Sequence, residues 1–208
     1  MSDNETTVTF GDDRVSAALE RHDDHLTLTL QDKSTGRTWG PAPLLALEVH
    51  DNTVRREDRL DQYGIEQIET FDGGAYVVVS SVQRGIVVGL WLRVEDGELV
   101  VRFSPPELYE RRPNHHRLFA IDLLPGLIDV ADTLLLPLGS GTLCHPKDKP
   151  ARQDRFLIYM EQPRWELVPL LPVCAGWDGD AGLMALATYG DSDAQCRVAT
   201  DGQGRGST

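Results

Sequence analysis

The 208-residue chain carries 33 acidic against 20 basic side chains, for a formal charge of −13 and a pI near 4.8. That balance excludes an electrostatic nucleic-acid binder, which needs a basic face. No window approaches the roughly 18 apolar residues of a membrane span, and the opening MSDNETTVTF lacks the basic and apolar regions of a secretory signal, so a soluble, cytoplasmic protein is expected. Cys144, Cys174 and Cys196 are odd in number and contain no C-x-x-C pair. They read as small buried apolar residues, not as a disulfide framework or a zinc site.

In chain order, residues 1–5 read as a frayed tail, after which short segments alternate apolar and polar residues at strand period. Val8 and Phe10 begin the series, and Val15, Ala17 and Leu19 follow the turn at Gly11-Asp12-Asp13. Leu26, Leu28 and Leu30 then alternate with Thr27 and Thr29. DKSTG closes a hairpin into Arg37-Thr38-Trp39. Leu44 to Val49 is the next strand, and the charged DNTVRREDRLDQ reads as a surface loop or a short helix.

A meander follows, with strands at 65–71, 76–82, 86–94 and 99–103, and Glu95-Asp96-Gly97-Glu98 is the strongest hairpin signal. The stretch LLLPLGSGTL, residues 134–143, organises the second half: a buried strand stopped by Pro137, a permissive Gly139-Ser140-Gly141 turn, then extended chain to Cys144. Later strands are expected at 156–159, 167–173, 183–189 and 194–199, the last two as a hairpin around Gly190 to Asp193, before a Gly-rich tail over 200–208. No stretch of about 12 residues carries helical periodicity with caps. Twelve or more strands with frequent turns predict an all-β fold with very little helix, built as a large antiparallel two-sheet sandwich and forming one domain over 1–208.

Three groups of residues resemble a known family. LTLTLQDKSTGRTWG, with its D-K-x-T-G-x-x-W pattern, is similar to the start of the N-terminal β-sandwich of certain glycoside-hydrolase-like proteins. VEDGELVVRF, LFAIDLLPGL and LLLPLGSGTLCHP resemble its hairpin, its leucine-proline stretch and its P-x-G-S-G-x-L turn, and DGDAGLMALATYGDSDAQCRV resembles its closing half. The relatives are endo-α-N-acetylgalactosaminidase-like and uncharacterised glycosidase-like proteins. The resemblance implies a galactose-mutarotase-like supersandwich that precedes a TIM barrel, in a longer chain or as another subunit. Because such relatives carry their catalytic carboxylates on the barrel, it implies a non-catalytic carbohydrate-associated module that supports or completes a saccharide site. No cofactor, metal, nucleic acid or membrane partner is expected.

Sugar rings stack on aromatic planes while carboxylates and amides hold their hydroxyls. Trp165 with Glu161 and Arg164 in one loop, Trp177 with Asp178 in another, and His145 beyond the glycine turn are therefore the candidate saccharide-binding residues. Trp39 and Trp91 read as packing. An alternative is an aldose-epimerase-like enzyme in which His115 or His116 works with Glu161 as an acid–base pair. A third is a protein-interaction or structural sandwich. Adjacent strand positions diverge, which speaks against His115 and His116 as joint metal ligands. Gly139-Ser140-Gly141 lacks the following helix of a phosphate loop, Ser140 lacks a G-x-S-x-G elbow, and Asp178-Gly179-Asp180 lacks the remaining calcium ligands.

Overall fold

The computed structural model describes residues 7–137, 141–157, 172–189 and 195–208. The chain divides into two compact units, Met1–Pro125 and Gly126–Thr208. Every strand pairing is antiparallel, and among the described residues the helical content is one 3-10 turn, Pro146–Asp148. The all-β expectation is met. No helix of the described residues is long and apolar enough to cross a membrane.

In the first unit, β1 (Thr7–Gly11), β2 (Val15–Arg21), β3 (Leu26–Asp32) and β4 (Thr38–Pro43) form a meander sheet. Leu26, Leu28 and Leu30 of β3 are buried, as their alternation requires. The DKSTG hairpin is tied by Asp32, whose carboxylate accepts the Ser34 hydroxyl (2.6 Å) and amide (2.8 Å) and is held down to about 2 by those bonds and by Thr35. β5 (Leu45–Asp51) and β6 (Arg56–Leu60) pair next. β7 (Gly64–Phe71), β8 (Gly74–Ser81), β9 (Ile86–Glu95) and β10 (Glu98–Glu110) form a second meander, and β11 (His116–Leu123) returns to the other side of β5. Flanked on both sides, β5 is buried from Leu45 to Val49, and β8 is buried from Gly74 to Ser80. These buried stretches are mostly apolar, with Glu48 and Ser80 the buried polar residues in them. Asp96 and Gly97, both at positive φ (56° and 81°), make the expected two-residue turn between β9 and β10.

The second unit contains β12 (Asp129–Val130), β13 (Thr133–Leu136), β14 (Thr142–Cys144), β15 (Arg152–Leu157), β16 (Val173–Asp178), β17 (Ala181–Leu186), β18 (Gln195–Thr200) and β19 (Gly206–Ser207). They form two sheets, ordered β14-β13-β16-β17 and β12-β19-β18-β15.

Four expectations are corrected. The described strands make five sheets of three or four strands, not the two large sheets of a sandwich. Alternation marks where strands lie, whereas sheet size depends on pairing, and here two of the sheets are complete four-strand meanders. The charged segment is a loop only in part: residues 52–55 form an exposed turn, and no helix follows it. Its REDRL core is edge strand β6, where outward Arg and Asp side chains suit an exposed sheet edge. β17 does not pair with β18. It turns back on β16 through Gly179 and Asp180, with Gly179 at φ 61°. Finally, the Gly-rich C-terminus is not frayed: β19 pairs with both β12 and β18, and Thr208 N–H donates to Ile128 (3.0 Å). Gly206 is there for close approach, since a Cβ would sit 2.6 Å from Leu134 Cδ1 and 2.8 Å from Pro146 Cγ.

Candidate functional site

Strand parity sets the site. Along β9, Ile86, Val88, Leu90, Leu92 and Val94 point into the core of the first unit, all 4% exposed or less. Val87, Gly89, Trp91 and Arg93 therefore share the opposite face. Register carries a row across all four strands: Glu69 faces Tyr76, Tyr76 faces Trp91, and Trp91 faces Arg102. Trp91 is 44% exposed and Phe71 38%. The Trp91 ring lies 4.4 Å from that of Tyr76 and 5.6 Å from that of Phe71, tilted to both. Gly74 makes room for Phe71, whose ring atoms would stand 2.5 Å from a Cβ at that position.

A bulge supplies the polar wall. The pairing of β10 with β9 breaks between Phe103 and Leu108, across Ser104-Pro105-Pro106-Glu107, because two consecutive prolines cannot donate to a ladder. The bulge rests on Gly89, where a Cβ would be 2.6 Å from Glu107 Cβ and 3.0 Å from Ser104 Cβ. Ser104 and Tyr76 hydroxyls both donate to the Glu107 carboxylate and hold its pKa below the usual range, the Ser104 bond acting most strongly. Burial pushes the Tyr76 phenol up. Glu107 thus stays ionised at neutral pH and acts as an acceptor, not as an acid. Beside this row, Gln67 donates to Glu69 (2.7 Å), and at the far end Arg111 lies over the Tyr109 ring (5.8 Å). The face combines exposed π surfaces with carboxylate, amide and guanidinium groups.

The residues expected from sequence are placed as follows. Glu161, Arg164 and Trp165 lie outside the described residues, as do Gly139 and Ser140. In the second unit, Trp177, Asp178 and His145 do come together around Asp132. Thr133 pairs with Trp177, and His145 Nδ1 lies 3.1 Å from the Asp132 carbonyl oxygen and 3.3 Å from Thr133 Oγ1. Asp178 Oδ1 accepts Ala131 N–H (2.6 Å) and Asp132 N–H (3.1 Å), while Asp132 Oδ2 accepts Gly179 N–H (2.6 Å). This reciprocal clamp spends the carboxylates on two turns.

His115 and His116 diverge. His115 is exposed, and His116 opens β11 half-buried, with ring centroids 6.4 Å apart. Arg84 reaches Asp51 Oδ2 (2.8 Å), Asp58 Oδ2 (2.7 Å) and His116 Nε2 (3.0 Å). Nε2 also lies 3.5 Å from Asp51 Oδ2, and Nδ1 is buried with no hydrogen-bond partner among the described residues. Asp51 also accepts from the Thr53 hydroxyl and amide and from Val54 N–H, bonds that hold it well below the usual carboxylate range. The imidazole is locked into an ion-pair network. Trp39 is buried (6% exposed) beneath Arg37, as a packing residue should be. Trp91 is the correction: reading it as packing overlooked the parity that sends it outward with Arg93. Among the described residues no group of three or more His, Cys, Asp and Glu could hold a metal ion.

Comparison with known proteins yields no relative: no family model matches the sequence, and neither a curated protein nor a solved structure matches it.

Proposed function

We propose that the chain is a non-catalytic saccharide-binding β module whose sugar platform is the outer face of β7–β10. The observation that carries this reading is the Glu69–Tyr76–Trp91–Arg102 row, an exposed indole braced by two rings and bordered by hydrogen-bonding side chains. Pyranose C–H faces stack on such rings, and the bordering groups accept from and donate to hydroxyls. The ionised Glu107 favours binding over hydrolysis, because a glycosidase acid needs its pKa raised. The partner in this reading, a glycosidase-type barrel, is carried by the resemblance of the D-K-x-T-G-x-x-W and P-x-G-S-G-x-L segments alone.

Tryptophan fluorescence titrated with galactose-, glucose- and N-acetylgalactosamine-containing saccharides tests it. Saturable quenching is expected in the parent chain and in Trp177→Phe, with at least about a tenfold loss of affinity in Trp91→Ala. Quenching that survives Trp91→Ala, or its absence with every saccharide, overturns the assignment. Polarimetry in the same samples separates the epimerase reading: mutarotation faster than buffer and lost in His116→Ala would replace a binding module with an enzyme.

A further inference from the structure

Three arginines border the aromatic rings of β7–β10, and two of them are engaged within the chain. Arg93 Nε lies 3.5 Å from Glu95 Oε2, and Arg111 Nη2 donates to the Tyr109 hydroxyl (3.3 Å). Arg102 is the third. It is exposed on edge strand β10 and makes no hydrogen bond, ion pair or ring contact among the described residues. Register sets it directly across from Trp91. Guanidinium and indole therefore rise from one face, their Cβ atoms about 5 Å apart. The nearby carboxylates are placed differently. Glu69 stands at the opposite end of the row, three strand spacings or about 14 Å from Arg102. Glu107, packed over Gly89, accepts from the Ser104 and Tyr76 hydroxyls. The stacking ring thus has a cationic flank toward β10.

We propose that the preferred ligand of this platform is an acidic sugar, a hexuronate unit stacked on Trp91 with its carboxylate held by Arg102. The inference rests on the saccharide-platform reading and names its substrate class. A guanidinium is a planar fork of donors that pairs with both oxygens of a carboxylate, which a neutral hydroxymethyl group cannot match. One strand spacing separates fork from indole, a distance that a C6 carboxylate covers from a pyranose stacked on the ring. The formal charge of −13 opposes acidic polymers at long range. The site therefore selects one carboxylated unit by contact, not a polyanion by overall charge. Trp91 supplies the stacking that neutral and acidic sugars share, and Arg102 decides between them.

The test is tryptophan fluorescence of the full chain at neutral pH, titrated with the methyl glycosides of galacturonic and glucuronic acid. Each is compared with its methyl ester, which keeps the ring and removes the charge. Each acid is expected to bind at least about tenfold more tightly than its ester. Arg102→Gln should weaken the acids to the level of the esters and leave the esters unchanged, while Arg93→Gln should keep the preference. The exposed Arg102 side chain bonds to no described residue, so its loss should leave the fold intact, which circular dichroism checks. Equal binding of acid and ester overturns the proposal while leaving the saccharide platform standing. A preference that survives Arg102→Gln, or one lost in Arg93→Gln instead, overturns the assignment to Arg102. Quenching by none of the four ligands removes the platform itself, so the two failures are told apart.

Discussion

The two units build their cores differently. In the first, large side chains fill the space: Leu19, Leu26, Leu28, Leu44, Leu45, Leu47, Ile86, Leu90 and Leu92 are all fully buried. In the second, the described residues hold fewer such side chains, Leu134 and Val130 among them, and apolar side chains close against bare backbone at Gly176 and Gly206. A Cβ on Gly176 would stand 2.6 Å from Ile128 Cγ2 and 2.8 Å from Val130 Cγ2, and one on Gly206 would strike Leu134 and Pro146. The difference reaches the surface. The first unit holds β8 and β9 from within by long apolar runs, so outward residues such as Trp91 and Arg93 are released to face solvent. The second unit spends its polar residues on bracing short strands, as the Asp132–Asp178 clamp does. Its Trp177 therefore sits beside a structural knot, whereas Trp91 sits on an exposed face.

Four perturbations break or sharpen that contrast. Truncating the first core should cost most: Leu47→Ala is expected to lose about 2–5 kcal/mol in denaturant unfolding, through lost burial and a residual cavity. In the second unit the damaging change is the reverse, an added methyl. Gly176→Ala should cost about 1–3 kcal/mol by overpacking against Ile128 and Val130, measured the same way. A Gly176→Ala protein as stable as the parent would remove the backbone-packed core from the account.

The ion-pair network of the first unit has a pH signature. The native pKa of Asp51 lies well below its unfolded value of about 3.9, chiefly through its Thr53 bonds and, further down, through Arg84. Its contribution to stability is complete above that unfolded value and is lost as pH falls toward the native one. Unfolding midpoints followed between about pH 5 and pH 2 should fall less steeply in Asp51→Asn than in the parent. Equal slopes would mean that Asp51 is not held down by its neighbours. The smallest effect on folding belongs to the proposed platform. Trp91→Ala should change stability by less than about 1–2 kcal/mol, since the indole is already half in water, while weakening saccharide binding strongly.

Much of the strand layout is legible, because period-2 alternation survives in β2, β3 and the second half of β9 and turn residues bound it. The sheet plan is not, because alternation says nothing about which strand pairs with which. β6 was missed because an edge strand wears charges in place of an apolar face, and β19 because glycines demanded by Leu134 and Pro146 look like a flexible tail in composition. The candidate site was partly readable. His145, Trp177 and Asp178 do share one neighbourhood, but hydrogen bonding to turn amides, invisible in sequence, claims the carboxylate. Trp91 carried a signal that was overlooked: the odd-numbered positions of β9 hold Val87, Gly89, Trp91 and Arg93, the pattern of a face leaving the core. The bulge that frames it could be read from Pro105-Pro106 following a strand.

Hydroxyl-radical footprinting of the parent chain, with and without a saturating saccharide that quenches its fluorescence, tests the central claim most directly. Bound sugar is expected to lower the oxidation rates of Trp91 and Phe71 together and to leave that of Trp177 unchanged. Protection at Trp177 or Trp165 with Trp91 unaffected would contradict it and move the platform off the β7–β10 face.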